Sequence, residues 1–216
     1  MSARFHLLAL FNLLLAAVAL RGAEPPTTGK IEPRTLVFFG DSLTAGYGLA
    51  DPAAEAFPAL IQKRIDAAHL NWRVVNAGQS GETSSGGARR VEWILRQPVD
   101  AFVLALGGND GLRGIEPAVT RANLQRIIDR VREKNPATKI ILAGMQMPPN
   151  LGPDYMRDFA EIYPALAEKN HAALVPFLLE GVGGDPNLNQ HDLIHPTAEG
   201  HVLVAENVWK ILRPLL

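Results

Sequence analysis

Short apolar runs alternate with amphipathic stretches from residue 35 to the end of the chain. The apolar runs are hydrophobic at nearly every position, which is typical of strands that are covered on both faces of a sheet. They predict strands at TLVFFG (35–40), RVVNAG (73–78), AFVLALGG (101–108), KIILAGMQM (139–147) and ALVPFL (173–178). The intervening stretches place apolar residues at helical spacing. They predict helices over residues 57–68, 88–97, 117–134, 155–169 and 197–212.

This alternation indicates an α/β fold. Strand–helix–strand connections are right-handed crossovers between parallel strands, and they place helices on both faces of the sheet. A chain of 216 residues suits one well-buried domain better than two. We therefore predict a single three-layer α/β/α domain over residues 35–216. In such a sheet the ligand crevice lies outside the carboxyl ends of the strands, so functional side chains are expected in the loops that follow them.

Residues 1–34 have a different character. A short basic segment precedes an apolar run over residues 7–20, and the AVA of residues 17–19 fits a small-x-small cleavage pattern. The run is too short for a comfortable membrane span. We predict a signal peptide over residues 1–23, cleaved between 19 and 23, a flexible linker over residues 24–34, and export to the periplasm or the medium. An uncleaved N-terminal anchor is the alternative.

Composition excludes several classes of function. The 21 Lys and Arg residues nearly balance the 22 Asp and Glu residues, and no basic run interleaves with aromatic residues. This argues against a nucleic-acid partner. The chain has no cysteine, which excludes disulfides, thiolate nucleophiles and cysteine-ligated zinc.

Polar, glycine-rich clusters follow the predicted strands, where the crevice is expected. They are GDS (40–42), NAGQSGET (76–83), GGND (107–110) and HDLIHP (191–196). Ser42 follows the first strand directly and has two interpretations: a nucleophile, or a helix N-cap, a position that serine favours. A G-x-S-x-G nucleophile elbow does not occur, because its nearest match, GQSGE, ends in Glu82.

A serine nucleophile requires a base, and the histidines supply the candidates. His69 and His171 precede strands and therefore fall at the opposite edge of the sheet. His201 lies within the last predicted helix, where we expect a surface position. His191 and His195 remain. Asp192 lies three residues before His195 and can orient its imidazole as the acid does in a Ser-His-Asp triad.

A metal site is a rival interpretation of the same loop. His191 and His195 are four residues apart with an acid between them, like a helical metal pair. Pro196 argues against this, because the residue before a proline is pushed out of the α region. His195 should then end an extended or turn segment, and Pro196 should open the helix. No third ligand is evident, and we expect no metal.

Two residues could stabilise an oxyanion. Asn109 follows a strand through two glycines and carries a side-chain amide, and Gly81 can offer a backbone N–H in a tight turn. Each alone could be an ordinary turn residue. Their occurrence at the same predicted edge as Ser42 and His195 favours an acyl-transfer site.

Four segments resemble, in order, the four sequence blocks of the SGNH (GDSL) hydrolases: GDSLTAGYG, NAGQSGETS, LGGNDGLRG and DLIHP. They are most similar to the periplasmic thioesterase, lysophospholipase and arylesterase group of that family, and the match runs from Thr35 to the C-terminus. The resemblance implies a flavodoxin-like, five-stranded parallel sheet of order 2-1-3-4-5. It also implies that Ser42 is the nucleophile and that His195, with Asp192 as its acid, is the base. The implied oxyanion donors are Ser42, Gly81 and Asn109.

The implied reaction is hydrolysis of acyl esters and thioesters, such as aryl esters, acyl-CoA and lysophospholipids, through an acyl-enzyme on Ser42. No cofactor is expected. The expected partners are a small-molecule substrate and, transiently, membrane lipids, and the chain is expected to be a monomer. A carbohydrate O-deacetylase of the same superfamily is the alternative, against which the lack of clustered aromatic residues argues. A non-catalytic binding module is the third hypothesis.

The segment GMQMPPNLGPDYM (144–156) contains every methionine except Met1. It has two interpretations: a groove for an acyl chain, since methionine adapts to irregular apolar shapes, or a loop that packs onto the core. The resemblance favours the groove. Its predicted lining is Leu112, Met145, Met147, Leu151 and Tyr155.

Overall fold

The computed structural model describes residues 32–216, without the side chain of Pro149. The predicted signal peptide (1–23) and most of the predicted linker (24–34) lie outside the described residues. The first strand begins at Arg34, the last residue assigned to that linker. Within residues 32–216, no helix combines the length and apolar character needed to cross a bilayer.

The described residues form a five-stranded parallel sheet of order β2-β1-β3-β4-β5, which confirms the predicted fold class and strand order. Strand β1 is an interior strand of the sheet and is buried along nearly its whole length. Its in-register neighbours are β2 on one side and β3 on the other. The strands are β1 Arg34–Gly40, β2 Trp72–Gly78, β3 Ala101–Ala105, β4 Lys139–Ala143 and β5 Ala173–Val175.

Helices connect the strands in the order that the sequence predicts. They are α1 Ser42–Ala45, α2 Pro52–Glu55, α3 Phe57–Ala67, α4 Ser84–Ile94, α5 Gly108–Leu112, α6 Pro117–Lys134, α7 Pro153–Ala160, α8 Ile162–Asn170 and α9 Ala198–Leu212, with 3-10 turns at Pro149–Leu151 and Arg213–Leu215. Helix α6 has the predicted bounds, with Pro117 in its first turn. The single helix predicted over residues 155–169 is two helices that meet at Glu161.

Strands β3, β4 and β5 end three to four residues earlier than the apolar runs that predicted them, at residues 105, 143 and 175 rather than 108, 147 and 178. The runs continue because the loops beyond these strands are also buried. Leu106, Met145 and Leu178 have almost no exposed surface although they lie outside the strands. Continuous hydrophobicity therefore indicates burial here, and not strand length.

The core lies on both faces of the sheet because successive strand residues point to opposite sides. Phe38 meets Phe57 of α3 edge-to-face, with ring centroids 5.4 Å apart. Phe39 lies on the other face, 5.3 Å from Phe102. Helices α3 and α9 pack together on the first face, and α4, α6 and α8 cover the second. Gly87 lets α4 approach the sheet, since a Cβ there would lie 2.4 Å from the Leu106 side chain.

His201 is buried, and the surface position expected for it is wrong. Its side chain in α9 is packed among core residues, with 1% of the residue exposed, and its Nδ1 accepts a hydrogen bond of 3.2 Å from the backbone N–H of Phe57. Ala56, the N-cap residue of α3, has no side-chain oxygen to offer that helix end. His201 supplies the missing acceptor, which a helix N-terminus needs. Burial and the nearby charge of His195 lower the pKa of His201 to about 4.

His201→Asn should change how stability depends on pH, because asparagine keeps an acceptor for Phe57 but cannot be protonated. A pKa of about 4, below the ordinary 6.5, means that the unfolded chain takes up the proton first. The stabilisation is therefore complete above pH 6.5 and is lost as the pH falls towards 4. Between pH 7 and pH 4, urea unfolding of the wild type should lose about 3 kcal/mol more than unfolding of the variant. Parallel pH dependences would contradict this.

Candidate active site

The turn after β1 places Ser42 at the carboxyl end of this strand. Asp41 is the N-cap of α1, and its Oδ1 accepts a hydrogen bond of 3.1 Å from the N–H of Leu43. Ser42 is the first residue of the helix, so the N-cap interpretation of Ser42 is wrong. Gly40 is required at this turn because a Cβ there would lie 2.0 Å from Oγ1 of Thr44.

Ser42, His195 and Asp192 form a continuous hydrogen-bonded chain. The Nε2 atom of His195 lies 2.9 Å from Oγ of Ser42, and its Nδ1 lies 2.6 Å from Oδ2 of Asp192. An imidazole that donates from Nδ1 to a carboxylate presents an unprotonated Nε2 to the hydroxyl. The ring of Tyr47 lies 4.7 Å from that of His195 and covers one side of it.

Asp192 is held by the backbone of its own loop. Its Oδ1 accepts hydrogen bonds of 3.0 Å from the N–H groups of both Ile194 and His195. Leu193, between them, has a positive φ of 58°, which turns the chain back towards the carboxylate. Burial by itself raises the pKa of Asp192, but the hydrogen bonds from His195 and Ile194 outweigh it and lower the pKa to about 2. The carboxylate is therefore ionised at neutral pH.

The loop geometry does not support the helical metal pair. His191 and His195 lie in non-helical segments, so they share no helix face. Helix α9 begins at Ala198 with Thr197 as its N-cap, and not at Pro196 as predicted. Pro196 instead pairs with Asn189 in an isolated antiparallel bridge. In the described part of the chain, no three His, Cys, Asp or Glu side chains are grouped as metal ligands would be.

Asn109 lies at the start of α5 and faces the same cavity as Ser42. The chain leaves β3 through Gly107, whose φ of 119° is a conformation that favours glycine. The Nδ2 atom of Asn109 donates to the carbonyl oxygen of Glu82 over 3.0 Å and lies 3.4 Å from Oδ2 of Asp41. The amide is thus held in place at the carboxyl edge of the sheet, where the sequence predicted it.

Gly81 lies beside this cavity and not in its wall. It has a φ of 76° and belongs to a shallow polar depression formed largely by residues 79–83. Its carbonyl oxygen accepts a hydrogen bond of 3.0 Å from Nη2 of Arg113. The hydrogen bond from Asn109 to Glu82 joins the depression to the cavity.

Sequence reasoning missed a buried cluster that connects these loops. Asp110, which is fully buried, accepts from the N–H of Ser84 at 2.8 Å and from its hydroxyl at 2.5 Å. The hydroxyl of Thr120 also donates to Asp110, and Asn123 donates to Ser84. The cluster fixes α5, which carries Asn109, against the start of α4. Only the position of Asp110 directly after Asn109 could have indicated this role.

Arg90 connects the ends of the two neighbouring strands, and its role was also missed. Its guanidinium forms an ion pair with Glu82 and donates to the carbonyl oxygens of Gly40, at 3.2 Å, and Ala77, at 2.8 Å. It also lies over the ring of Phe39, 4.0 Å from the centroid. Arg90 is one of two consecutive arginines in an amphipathic helix, and the sequence does not show that one of them has such a position.

Asp41 is the third residue that sequence reasoning missed. It is 3% exposed and lies beside the Ser42 turn. Burial raises its pKa to about 6, although hydrogen bonds from Leu43 and Asn109 and the charge of His195 act in the opposite direction. Asp41 is part of the motif GDS, but this motif does not show that Asp41 contributes separately from Ser42.

An apolar cavity of about 460 Å³ opens beside the Ser42 hydroxyl. The predicted lining residues Leu112, Met145 and Met147 are part of its wall. Gly111 gives Met147 room to pack, since a Cβ there would lie 2.0 Å from the methionine sulfur. Further apolar residues complete the wall: Leu43, Phe177, Leu179, Leu193 and Ile194.

Leu151 and Tyr155, the other two residues of the predicted lining, do not line this cavity. The hydroxyl of Tyr155 donates to the carbonyl oxygen of Ile115 at 2.7 Å, and its ring stacks on Phe159. Leu151 is half-buried against the core. Phe177 and Leu179 were missed because the apolar run ALVPFL predicted a strand through residue 178, whereas β5 ends at Val175.

A parallel α/β/α sheet with a Ser-His-Asp chain at its carboxyl edge and no nucleophile elbow is typical of one class of serine hydrolases. Comparison with known proteins gives the same class. The family model of the GDSL-like Lipase/Acylhydrolase family matches residues 38–203, and the chain belongs to this family, the GDSL or SGNH hydrolases.

Two curated relatives cover most of the chain. Esterase TesA of Pseudomonas aeruginosa is 43% identical over 190 residues, which are 88% of this chain and 92% of the relative. Thioesterase 1/protease 1/lysophospholipase L1 of Escherichia coli is 37% identical over 214 residues, covering 99% of this chain and 94% of the relative. The crystal structure of TesA superposes with a TM-score of 0.80, at 43% identity over 85% of this chain and 100% of that one.

Proposed function

We propose that the protein hydrolyses acyl esters and thioesters through an acyl-enzyme on Ser42. The observation that carries the proposal is the hydrogen-bonded chain of Ser42, His195 and Asp192 at the wall of an apolar cavity. Relatives named esterase, thioesterase, lysophospholipase and arylesterase support the same reaction class. The substrate classes are aryl esters, acyl-CoA and lysophospholipids.

In the first half-reaction, Oγ of Ser42 attacks the carbonyl carbon while Nε2 of His195 takes the hydroxyl proton. Asp192 stabilises the imidazolium that forms. The oxyanion receives hydrogen bonds from the backbone N–H groups of Ser42 and Gly81 and from the side-chain amide of Asn109. The tetrahedral intermediate then collapses, and His195 donates its proton to the departing alcohol or thiol. Water then attacks the acyl-enzyme while His195 takes a proton from it. The second tetrahedral intermediate collapses, the acid leaves, and His195 returns the proton to Oγ of Ser42.

Asn109→Ala should lower kcat by about a hundred- to a thousandfold, with a much smaller effect on KM. The amide is held by the carbonyl of Glu82, so it is oriented before substrate binds and stabilises the charge that develops only in the transition state. Steady-state kinetics on p-nitrophenyl butyrate measures the change. Unchanged turnover in a folded Asn109→Ala protein would remove this residue from the mechanism.

The apolar cavity is the proposed acyl site. Met147→Glu should therefore reduce kcat/KM for decanoyl esters about tenfold more than for acetyl esters, since each buried methylene contributes about 0.8 kcal/mol. Met147 is buried in the wall, so the carboxylate would be placed against the chain. Met156→Glu is the matched control, because Met156 packs against the core outside the cavity. Equal losses of kcat/KM for decanoyl and acetyl esters would contradict the proposal that this cavity binds the acyl chain.

A series of p-nitrophenyl esters from acetyl to palmitoyl tests the proposed function as a whole. The expected result is an optimum at medium or long chains, because the cavity wall is mainly apolar. Acyl-CoA and lysophospholipid would then be assayed directly. Activity confined to acetyl esters would instead favour an O-deacetylase.

The proposal includes export, with residues 1–23 as a cleaved signal peptide; it rests on the composition of the N-terminal segment. N-terminal sequencing of the exported protein should give a start between residues 20 and 24. A start at Met1 or Ser2 would refute export with cleavage.

The proposal also includes a monomer that contacts membrane lipids transiently. Leu112, Leu193 and Ile194, which are exposed at the cavity wall, support the lipid contact.

A further inference from the structure

A second depression lies along residues 79–83, the loop that carries Gly81 and is here called the oxyanion loop. Its volume is about 420 Å³, and its wall is polar. Residues 79–83 and Gly86 form one side, and three arginines, Arg89, Arg90 and Arg113, form the rest. Of this wall, the mechanism above uses the N–H of Gly81 and the carbonyl of Glu82, which orients Asn109, and it assigns no role to the arginines.

The depression carries uncompensated positive charge. Arg90 is paired with Glu82 and is further engaged by backbone carbonyls, so its charge is neutralised. Nη1 of Arg89 donates only to the hydroxyl of Ser85, at 2.9 Å, and Nη2 of Arg113 donates to the carbonyl of Gly81, at 3.0 Å. Within residues 32–216, neither Arg89 nor Arg113 forms an ion pair with a carboxylate. Two exposed guanidinium groups therefore face the depression.

The end of helix α5 connects the apolar cavity to this charged depression. Leu112 lines the acyl cavity, and the next residue, Arg113, lines the polar depression. Asn109, one turn earlier in the same helix, faces the serine. An ester whose acyl chain fills the apolar cavity must direct the other half of the molecule away from that cavity. The depression next to Gly81 is a polar surface that this half can reach.

We propose that the depression is a subsite for a phosphate group on the leaving half of the substrate, with Arg89 and Arg113 as its specificity-determining residues. The inference rests on the proposed function. Guanidinium groups bind phosphate oxygens through paired N–H donors, which suits them to this ligand. Both a lysophospholipid headgroup and the phosphates of coenzyme A carry such a group. The subsite selects substrates by leaving group, while the cavity selects them by acyl chain.

Matched substrate pairs with one acyl chain test the subsite. Octanoyl-CoA is compared with neutral S-octanoyl-N-acetylcysteamine, and octanoyl lysophosphatidylglycerol with neutral monooctanoylglycerol. The measured quantity is the ratio of kcat/KM for the phosphorylated substrate to that for its neutral partner. Arg89→Gln and Arg113→Gln should each lower this ratio about fivefold in at least one pair, since an exposed charge contributes up to about 1 kcal/mol. The pair that responds identifies the source of the phosphate.

The ratio separates charge recognition from damage to the oxyanion loop. Arg113 also contacts Gly81, and a loss of catalysis there affects both substrates of a pair equally. Arg113→Lys, which keeps the charge, should restore most of the ratio. Raising the salt concentration should lower the wild-type ratio, because exposed charges are screened. Arg73→Gln is the control, as Arg73 is exposed near the amino end of β2, on the opposite edge of the sheet.

Two failures can be told apart. If the wild type hydrolyses the neutral substrates but no arginine variant changes either ratio, the phosphate subsite is refuted and the proposed hydrolase stands. If the wild type hydrolyses none of the four substrates and no p-nitrophenyl ester, the proposed function is refuted, and the subsite with it.

Discussion

Ser42→Ala is expected to lower kcat for ester hydrolysis by about a million-fold, as removal of the serine does in a protease whose triad acts as a unit. The hydroxyl is the atom that forms the acyl-enzyme, and no neighbouring side chain replaces it. His195 lies 2.9 Å from this oxygen and would retain its bond to Asp192 in the variant. Steady-state assays on p-nitrophenyl butyrate, with protein free of host esterases, measure the loss.

The same variant should fold as the wild type does. The Ser42 side chain makes one hydrogen bond, to His195, and the turn itself is held by Asp41 and Gly40. The free energy of unfolding should therefore change by less than about 1 kcal/mol. A stable Ser42→Ala protein that keeps more than a tenth of the wild-type turnover would exclude Ser42 as the nucleophile.

Asp192→Asn is expected to lower kcat by about ten-thousandfold, because it forces the wrong tautomer on His195. Oδ1 of Asp192 accepts from two backbone N–H groups, so the asparagine oxygen would occupy that position. The asparagine NH₂ would then face Nδ1 of His195 and oblige it to accept a hydrogen bond. The proton would move to Nε2, which could no longer receive one from Ser42.

Kinetics at several pH values distinguishes this effect from a general disturbance. Asp192→Asn should reduce kcat while KM changes little, and the residual activity should rise at high pH if hydroxide replaces the base. Asp154→Asn is the matched control, because Asp154 is an exposed acid on α7 that forms an ion pair with Arg157. Activity of the Asp192→Asn protein within tenfold of the wild type would exclude the orienting role.

The fold could be predicted because its elements repeat one pattern. The interior strands β1, β3 and β4 are covered on both faces, so their apolar runs stand out, and α6 has a regular apolar face from Pro117 to Lys134. Element ends were harder to predict. Leu106 and Leu178 are buried in loops, where hydrophobicity does not distinguish a strand from a covered turn. Helix α4 begins at Ser84, before the apolar periodicity, because Thr83 caps it with a hydrogen bond to the N–H of Gly86.

The candidate site was predictable where one short segment contains the chemistry. Asp192 and His195 share a loop, and Ser42 and Asn109 each follow a strand, so the topology rule places them at one edge. The residues that hold these groups act through contacts between distant segments. Arg90 reaches Gly40, which is 50 positions away, and His201 reaches Phe57, which is 144 positions away. The pattern of apolar and polar positions along the sequence does not show which distant segments are in contact.

Covalent labelling with a p-nitrophenyl phosphonate shows whether Ser42 is the nucleophile, because the reagent reacts with a serine that a neighbouring base has activated. We expect one phosphonyl group per chain, located by peptide mass spectrometry on Ser42, with labelling and loss of esterase activity proceeding at the same rate. Ser42→Ala should remain unlabelled. An active protein that is labelled at another residue, or that resists the reagent, would contradict the assignment of Ser42 as the nucleophile.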